Sequence, residues 1–166
     1  MSRRASGIAA ALAGALALAC ATTSDRDPDA AAAAYAAAGN YPAAAEAIDI
    51  AVRAEPENPA LRRQAADIHA KAGDPDRAVQ HLERVVNQIA PADAEAWIQL
   101  ADLERGRENT TDAYVAYRQA SELAPDDIRA VSGLALTADS LGFRSEAEDA
   151  YNRWTEIEGK LRREGP

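Results

Sequence analysis

The sequence predicts an all-α fold in which four helix–turn–helix repeats stack into a solenoid. Four alanines recur at intervals of 34, 35 and 34 residues, and they are Ala44, Ala78, Ala113 and Ala147. Aromatic residues make up only 5% of the chain. Such a composition favours thin layers of closely packed helices over a thick core, and the near absence of β-branched runs argues against sheets. The alternative is a helical bundle without repeats.

Other positions recur in register with these alanines. Twelve residues before each one stands a small residue, and these are Ala32, Ala66, Ala101 and Ala135. Four residues after each one stands a large apolar residue, and these are Ile48, Leu82, Tyr117 and Tyr151. Steps of three and four residues place such groups on one helix face. The small residues therefore let the two helices of a hairpin approach closely, and three glycines permit tight turns between them, namely Gly39, Gly73 and Gly142.

The elements follow in order along the chain. The predicted helices cover residues 28–38 and 42–54, 59–72 and 75–89, 94–106 and 109–122, and 127–141 and 144–160. Asp74-Pro75 is typical of an N-cap followed by the first helical residue, and Ser145 with Glu148 has the spacing of a capping box. Two irregularities stand out, because Glu108 replaces the turn glycine of the third repeat and one residue is inserted before Pro91.

The third repeat resembles the tetratricopeptide repeat family at seven signature positions, which are Trp97, Leu100, Ala101, Ala113, Tyr117, Ala120 and Pro125. The resemblance extends over about residues 25–160 and implies a right-handed superhelical solenoid. The predicted units are a signal peptide with a lipobox cysteine, a tether and four repeats, at residues 1–20, 21–28, 25–58, 59–93, 94–127 and 128–161.

The resemblance also implies a binding groove, because in this family the first helix of each repeat lines a groove for extended peptides or helices. The repeat register assigns nine residues to this groove: Arg63, Asp67, Lys71, Ile98, Asp102, Arg105, Arg129, Leu136 and Asp139. A solvated face of alternating charges is the alternative interpretation. One subtype clamps a carboxylate with lysines and asparagines, but Glu95 and Gln99 occupy such positions here, so the full clamp is absent.

The first 20 residues have the pattern of an export signal, since Arg3 and Arg4 precede an uncharged apolar stretch at residues 7–19. This stretch is shorter than the roughly 20 residues that span a bilayer. Residues 16–20, Leu-Ala-Leu-Ala-Cys, resemble the lipobox of bacterial lipoproteins, in which the cysteine carries the acyl chains. Cys20 is therefore the predicted lipidation site. The alternative is an ordinary cleavable signal that releases a soluble periplasmic protein.

The lipoprotein resemblance also implies a location. A residue other than aspartate after the cysteine, here Ala21, favours the outer membrane in the enteric sorting rule. The tether at residues 21–28 reaches at most about 25–30 Å when extended, so the repeats are expected close to the bilayer on the periplasmic side. The prediction is an outer-membrane lipoprotein of the bacterial cell envelope.

The charge balance excludes some partners. The net charge is −9, and loss of Arg3 and Arg4 with the signal leaves 16 basic against 27 acidic residues, or −11. An acidic domain repels nucleic acid and anionic headgroups, so neither is an expected ligand. The acidity serves solubility alone, or it attracts a basic partner.

Enzyme chemistry has no support in the sequence. His69 and His81 are 12 residues apart on different predicted helices, without metal-ligand spacing. No phosphate-binding glycine loop, nucleophile elbow or HExxH motif is present. We therefore predict no enzyme activity, no cofactor and no metal.

The last repeat carries a large apolar face at Trp154, Ile157 and Leu161. Solenoids need a polar cap, because the terminal repeat otherwise exposes its stacking surface. Two interpretations stay open. Trp154 folds over its own hairpin as a cap, or the three residues form an interface with a partner or a second copy of the chain.

Together these features predict a lipid-anchored periplasmic scaffold or adaptor that binds a protein or peptide of the envelope. Lipoproteins of this build resemble pilotins for pilus or secretion assembly, and adaptors for cell-wall enzymes. The alternative is a structural lipoprotein that self-associates, as a homodimer, through its uncapped C-terminal repeat.

Overall fold

The computed structural model describes residues 27–164 of the chain, and all of its regular secondary structure there is helical. Eight α-helices are formed: α1 Pro28–Ala37, α2 Tyr41–Ala54, α3 Pro59–Lys71, α4 Pro75–Arg84, α5 Ala94–Gly106, α6 Thr110–Leu123, α7 Ile128–Ser140 and α8 Arg144–Glu164. They pair in order as four hairpins, and each hairpin packs on the next. The all-α solenoid predicted from the alanine period is confirmed.

Polar side chains set where the helices begin. Several helices are preceded by a side chain that accepts hydrogen bonds from backbone N–H groups of the first turn. Among these N-cap residues are Asp27, Asn40, Asn58, Asp74 and Asp93. Such caps satisfy donors that the helix itself leaves free. The predicted cap at Asp74 is confirmed.

The capping box at Ser145 is wrong. Helix α8 begins at Arg144, so Ser145 already lies inside the first turn and not at the capping position before it. The spacing alone matched the motif, because serine and glutamate are also ordinary residues of an exposed first turn.

Three of the four hairpin turns use glycine in the left-handed backbone region, with φ of 73° at Gly39, 85° at Gly73 and 78° at Gly142. Glu108 takes the same conformation in the third hairpin, with φ of 65°. A side chain is disfavoured in this region, whereas glycine is not. The substitution seen in the sequence therefore preserves the turn at an energetic cost.

The core divides into two main clusters. The smaller one joins α1, α2 and α3 and consists mostly of alanine, with Ile48, Val52, Leu61 and Ile68 as its larger members. The larger one extends from α3 to α8 and contains Leu82, Tyr114 and Tyr117. The first hairpin therefore contributes the least apolar volume, as expected of a helix built almost entirely from alanine.

A π-helical segment, Val85–Ile89, follows α4 directly. The inserted residue of the second repeat lies between Ala78 and Pro91, a range that contains this segment. A π turn holds one more residue than an α turn, which explains how the insertion is accommodated.

The ends of the repeat array fall close to the predicted ones. Helix α1 begins at Pro28, where the first helix was predicted to begin, and Asp27 of the predicted tether is its N-cap. Helix α8 was predicted to end at residue 160 and extends to Glu164. The signal peptide, Cys20 and the rest of the tether lie outside the described residues. Within residues 27–164, no helix has the length and apolar character needed to cross a membrane.

Candidate functional site

A cleft of about 260 Å³ lies between α3 and α5, the first helices of the second and third hairpins. Its floor is apolar and is formed by four residues: Ala66, Ala70, Leu82 and Leu103. Asp67 and Asp102 stand beside this floor on opposite sides, and Gln99 completes the lining. The cleft therefore combines apolar contact area with negative charge, as small binding sites commonly do.

Each cleft carboxylate has a cationic neighbour on its own helix. Lys71 Nζ donates to Asp67 Oδ2 at 2.7 Å, and this hydrogen bond raises the pKa of Lys71. Arg105 Nη2 donates to Asp102 Oδ1 at 3.3 Å. All four side chains are about half exposed, so water screens both pairs and each contributes little to stability.

Gln99 contributes a polar atom that is not satisfied. Its Nε2 donates to Glu95 Oε1 at 3.3 Å. Its Oε1 is buried and accepts no hydrogen bond from the described residues. Buried acceptors are normally paired, so this carbonyl oxygen is available for a donor that enters the cleft.

The corresponding space between α5 and α7 is occupied by Tyr117 of α6. Its hydroxyl donates to Asp102 Oδ1 at 2.5 Å and accepts from Arg105 Nε at 3.2 Å, both on α5. On the α7 side, a Cβ at Gly133 would overlap the Tyr117 ring. Glycine is therefore required at Gly133 for the ring to fit.

Burial has a chemical consequence for Tyr117, whose side chain is almost completely enclosed. Removal from water and the neighbouring Asp102 carboxylate raise the pKa of its phenol to about 12. Both effects disfavour the negatively charged phenolate. The phenol therefore remains protonated, and a hydrogen-bond donor to Asp102, throughout the physiological range.

Ion pairs join successive hairpins on the two sides of α5. Arg63 Nε lies 3.1 Å from Asp93 Oδ2, and so links α3 to the N-cap of α5. Arg129 Nη2 donates to Glu95 Oε2 at 2.6 Å, and so links α7 to α5. The hydrogen bond from Arg129 lowers the pKa of Glu95. These arginines of the predicted groove therefore bridge repeats.

The remaining groove predictions divide. Leu136 and Asp139 are exposed on α7, as a lining residue should be. Ile98 is 1% exposed and packs with Ala120 and Ala130, so its assignment to the groove is wrong. Arg63 occupies the same register position in the second repeat and is half-buried there. An isoleucine at this position packs into the core, because it has no charge that must stay in water.

The C-terminal face is less exposed than its sequence suggests. Trp154 is half-buried, packs on the larger core cluster and stacks on Tyr151 at 6.1 Å between ring centroids. Ile157 is 7% exposed, which contradicts its assignment to an open interface. Leu161 is 55% exposed and alone of the three offers apolar surface. This is the arrangement of the cap interpretation, with the tryptophan folded onto its own hairpin.

A second polar cluster joins the first two hairpins. His69 Nε2 on α3 lies 3.0 Å from Asp49 Oδ1 on α2, and His81 Nε2 on α4 lies 3.9 Å from the same oxygen. The two imidazole rings stack at 5.3 Å with an angle of 15° between their planes. Desolvation and the neighbouring His69 lower the pKa of His81.

Sequence reasoning missed this cluster and the contact between Tyr117 and Gly133. The 12-residue separation of the histidines looked too long for a joint site, but the turn between α3 and α4 brings them face to face. The repeat register held a usable signal, because His81 stands three residues after Ala78 where the other repeats have alanine, at Ala47, Ala116 and Ala150. A polar residue at an otherwise small, buried position points to a special contact.

Two segments of the chain match the tetratricopeptide repeat family. The matches cover residues 59–103 and 94–127. These residues form the second and third hairpins and both walls of the cleft. The second and third of the repeats predicted from the alanine period are therefore recognised by comparison.

Known proteins with similar sequence are much longer. The human PEX5-related protein is 33% identical over 84 residues, which are 51% of this chain and 13% of that protein. The human general transcription factor 3C polypeptide 3 is 26% identical over 88 residues, 53% of this chain and 10% of that protein. The chain thus spans roughly a tenth to an eighth of these relatives.

Solved structures show the same fold at low identity. MamA superposes with a TM-score of 0.69 at 23% identity, over 76% of this chain and 73% of that one. YrrB, described as a TPR protein with an unusual peptide-binding site, gives 0.65 at 22% identity, over 77% and 66%. The first TPR domain of Spaghetti (RPAP3), bound to an HSP90 peptide, gives 0.63 at 18% identity, over 69% and 90%.

Proposed function

We propose that the chain is a lipid-anchored adaptor of the bacterial cell envelope, facing the periplasm from the outer membrane. It holds a protein partner by an extended segment that lies in the cleft between α3 and α5. Pilus or secretion assembly and the recruitment of cell-wall enzymes are the two settings in which such an adaptor would act.

The cleft carries this proposal. Its apolar floor gains free energy from an apolar side chain, since burial contributes about 25 cal/mol per Å² removed from water. The unpaired Oε1 of Gln99 suits a backbone N–H of an extended segment. Asp67 and Asp102 favour a segment with basic residues beside the apolar one.

Two structural neighbours support peptide binding as the activity of such a cleft. YrrB has a peptide-binding site by its description, and the Spaghetti domain was solved with a peptide bound. The same helical scaffold therefore accommodates peptides in other proteins. For this chain we propose the binding residues from the geometry of the cleft and not from the similarity to these two proteins.

Site-specific photocrosslinking tests the cleft. Lys71 and Arg118 are matched positions, because each is a half-exposed cation in an ion pair four residues apart along its helix. A photoreactive residue at Lys71 is expected to capture one defined envelope protein, and the same residue at Arg118, outside the cleft, is expected to capture none. Equal capture at both positions would contradict the proposal.

A filled cleft supplies the second test. The double variant Leu82→Tyr/Gln99→Gly copies the pair Tyr117 and Gly133, so an aromatic ring should occupy the space. We expect the adduct at Lys71 to disappear while the circular dichroism spectrum stays helical. An adduct that survives in this folded variant would rule out the cleft as the binding site.

The anchor is tested separately. Cys20 is the only cysteine of the chain, so labelling with a radioactive fatty acid reports on one site. We expect label and membrane fractionation for the native chain, and neither for Cys20→Ser. An unlabelled native chain would refute the lipid anchor without bearing on the cleft.

Self-association through the end of the array is the second candidate, and Leu161 is the observation that favours it. This leucine is 55% exposed near the end of α8. Light scattering of the purified repeat array should then show a dimer that Leu161→Lys converts to a monomer. A monomeric native array would exclude this alternative.

A further inference from the structure

We propose that Asp49, His69 and His81 form a binding site for a divalent transition-metal ion, with Zn²⁺ as the best-suited ion. The three residues come from α2, α3 and α4, so the site lies where the first two hairpins meet. It is distinct from the cleft between α3 and α5 and does not depend on the function proposed for that cleft.

The ligand atoms stand at the spacing that zinc requires. One atom from each residue lies within 4.8 Å of the other two. Zinc binds imidazole nitrogen and carboxylate oxygen at about 2.0–2.2 Å, so tetrahedral ligand atoms are about 3.3 Å apart. The distances from Asp49 Oδ1 are 3.0 Å to His69 Nε2 and 3.9 Å to His81 Nε2, and these two values bracket the tetrahedral spacing.

The ligands are held in place before any ion arrives. His69 is 1% exposed, and its ring stacks almost parallel to that of His81. Burial and stacking restrict both rings, so little side-chain entropy is lost on binding. Such preorganisation distinguishes this cluster from exposed carboxylates that lie together by chance.

The surroundings of the ligands also fit a metal. Arg77 Nη1 donates to Asp49 Oδ2 at 3.3 Å, which orients the carboxylate and leaves Oδ1 toward the histidines. Carboxylate ligands are commonly oriented by such an outer hydrogen bond.

A cleft of about 520 Å³ opens onto the cluster and provides a path for the ion. Asp49 and His81 line it, together with Arg62, Arg77 and Arg84. Three protein ligands leave a fourth position of a tetrahedral ion toward this cleft. The surrounding arginines favour an anion over water in that position, and their positive charge limits the affinity for the cation.

The ligand types select among ions. Two imidazoles and one carboxylate suit Zn²⁺ and its transition-metal neighbours, whereas Mg²⁺ and Ca²⁺ prefer oxygen ligands alone. Zinc is therefore expected to bind and to raise the melting temperature, because a ligand of the folded state stabilises it. Magnesium at the same concentration is expected to do neither.

Calorimetric titration with ZnCl₂ tests the site. The full chain carries Cys20→Ser and no histidine tag, so that neither a thiol nor a tag binds the ion. We expect one saturable site, weakened at least tenfold by Asp49→Asn and by His81→Gln. The control Asp149→Asn removes an exposed carboxylate of α8 that lies outside both the cluster and the cleft, and it should leave zinc affinity unchanged.

A spectroscopic measurement decides the matter even if the variants fail to fold. The chain has only two histidines, so their imidazole proton resonances are directly assignable to this site. Added Co²⁺ should shift both sets of resonances in the native chain. Unshifted imidazole resonances, no saturable zinc binding, or zinc affinity unaffected by folded Asp49→Asn and His81→Gln would each overturn the proposal.

Discussion

The interface between the second and third hairpins and the interface between the third and fourth share one register, and one pair of residues that differs between them lies where the cleft is open or filled. Between α3 and α5, Leu82 forms the floor and Gln99 stands on the wall, and the space is open. Between α5 and α7, the equivalent residues are Tyr117 and Gly133, and the phenol ring fills the space.

The difference teaches that backbone and binding site are specified by different residues. Small residues such as Ala66 and Ala101, both almost fully buried, set how closely the helices of each hairpin approach. The pair formed by one residue on the second helix and one on the first helix of the next repeat then decides whether that spacing leaves a cleft. A repeat protein can therefore gain or lose a site without any change to its scaffold.

The largest expected effect is on the filled interface. Gly133→Ala places a methyl group where the Tyr117 ring lies, so we expect a loss of about 1–3 kcal/mol in the free energy of unfolding. Urea titration followed by circular dichroism measures it. Gly106→Ala is the control, because a Cβ there meets no neighbouring atom within 4 Å. A Gly133→Ala protein as stable as this control would show that the interface is not tightly packed.

A smaller effect is expected when only the hydroxyl is removed. Tyr117→Phe keeps the ring but loses the hydrogen bonds to Asp102 and Arg105. Because Asp102 is half exposed and regains water, the loss should be about 1 kcal/mol. Tyr35→Phe, at an exposed tyrosine of α1, should cost nothing measurable in the same unfolding experiment. Equal losses of unfolding free energy at the two positions would show that the Tyr117 hydroxyl does not stabilise this interface.

Part of the stabilisation that the Tyr117 hydroxyl provides should disappear at high pH. The pKa of Tyr117 is raised to about 12, whereas an unfolded tyrosine titrates near 10. The folded state therefore holds the phenol proton more tightly, and this contribution is complete below pH 10 and is lost as pH rises toward 12. The stability difference between the native chain and Tyr117→Phe should shrink across that window. A difference that stays constant from pH 9 to 12 would contradict the raised pKa.

The smallest effects are expected from the ion pairs at the rims of the two interfaces. Arg129→Gln removes the contact with Glu95, and Arg63→Gln removes the contact with Asp93. Water reaches both pairs, so each change should cost less than about 1 kcal/mol and still less in high salt. Unfolding in low and high salt measures both. A cost at Arg129 larger than that of Tyr117→Phe would mean that charge, and not ring packing, holds the third and fourth hairpins together.

The fold was predictable because each of the four repeats carries the same pattern of residues. Alanines at one period, glycines in the turns and large apolar residues four positions further on all specify a helical hairpin, so one departure such as Glu108 does not obscure the pattern. Glu108 adopts the backbone conformation of the glycines it replaces. Helix starts were less predictable, as Ser145 shows, because capping residues also occur inside a first turn.

The candidate sites were less predictable, because they depend on contacts between repeats. The register assigned Asp67, Asp102 and Ile98 alike to the groove, and in the structure the two aspartates lie beside the cleft whereas Ile98 is in the core. Register fixes a position on the helix and not the direction in which a side chain packs. The cleft itself depends on the difference between Leu82 and Tyr117, both of which satisfy the same apolar pattern. Asp49 and His81 are 32 positions apart in the chain and meet only through stacking of the hairpins.

The π-helical segment Val85–Ile89 has a consequence for how such arrays change in length. An extra residue in an unbroken α-helix rotates everything after it by about 100°. Here the extra residue is held in one widened turn, and α5 still packs on α4. The π-helical turn takes up the additional residue, so a 35-residue repeat can stack beside 34-residue repeats in one array.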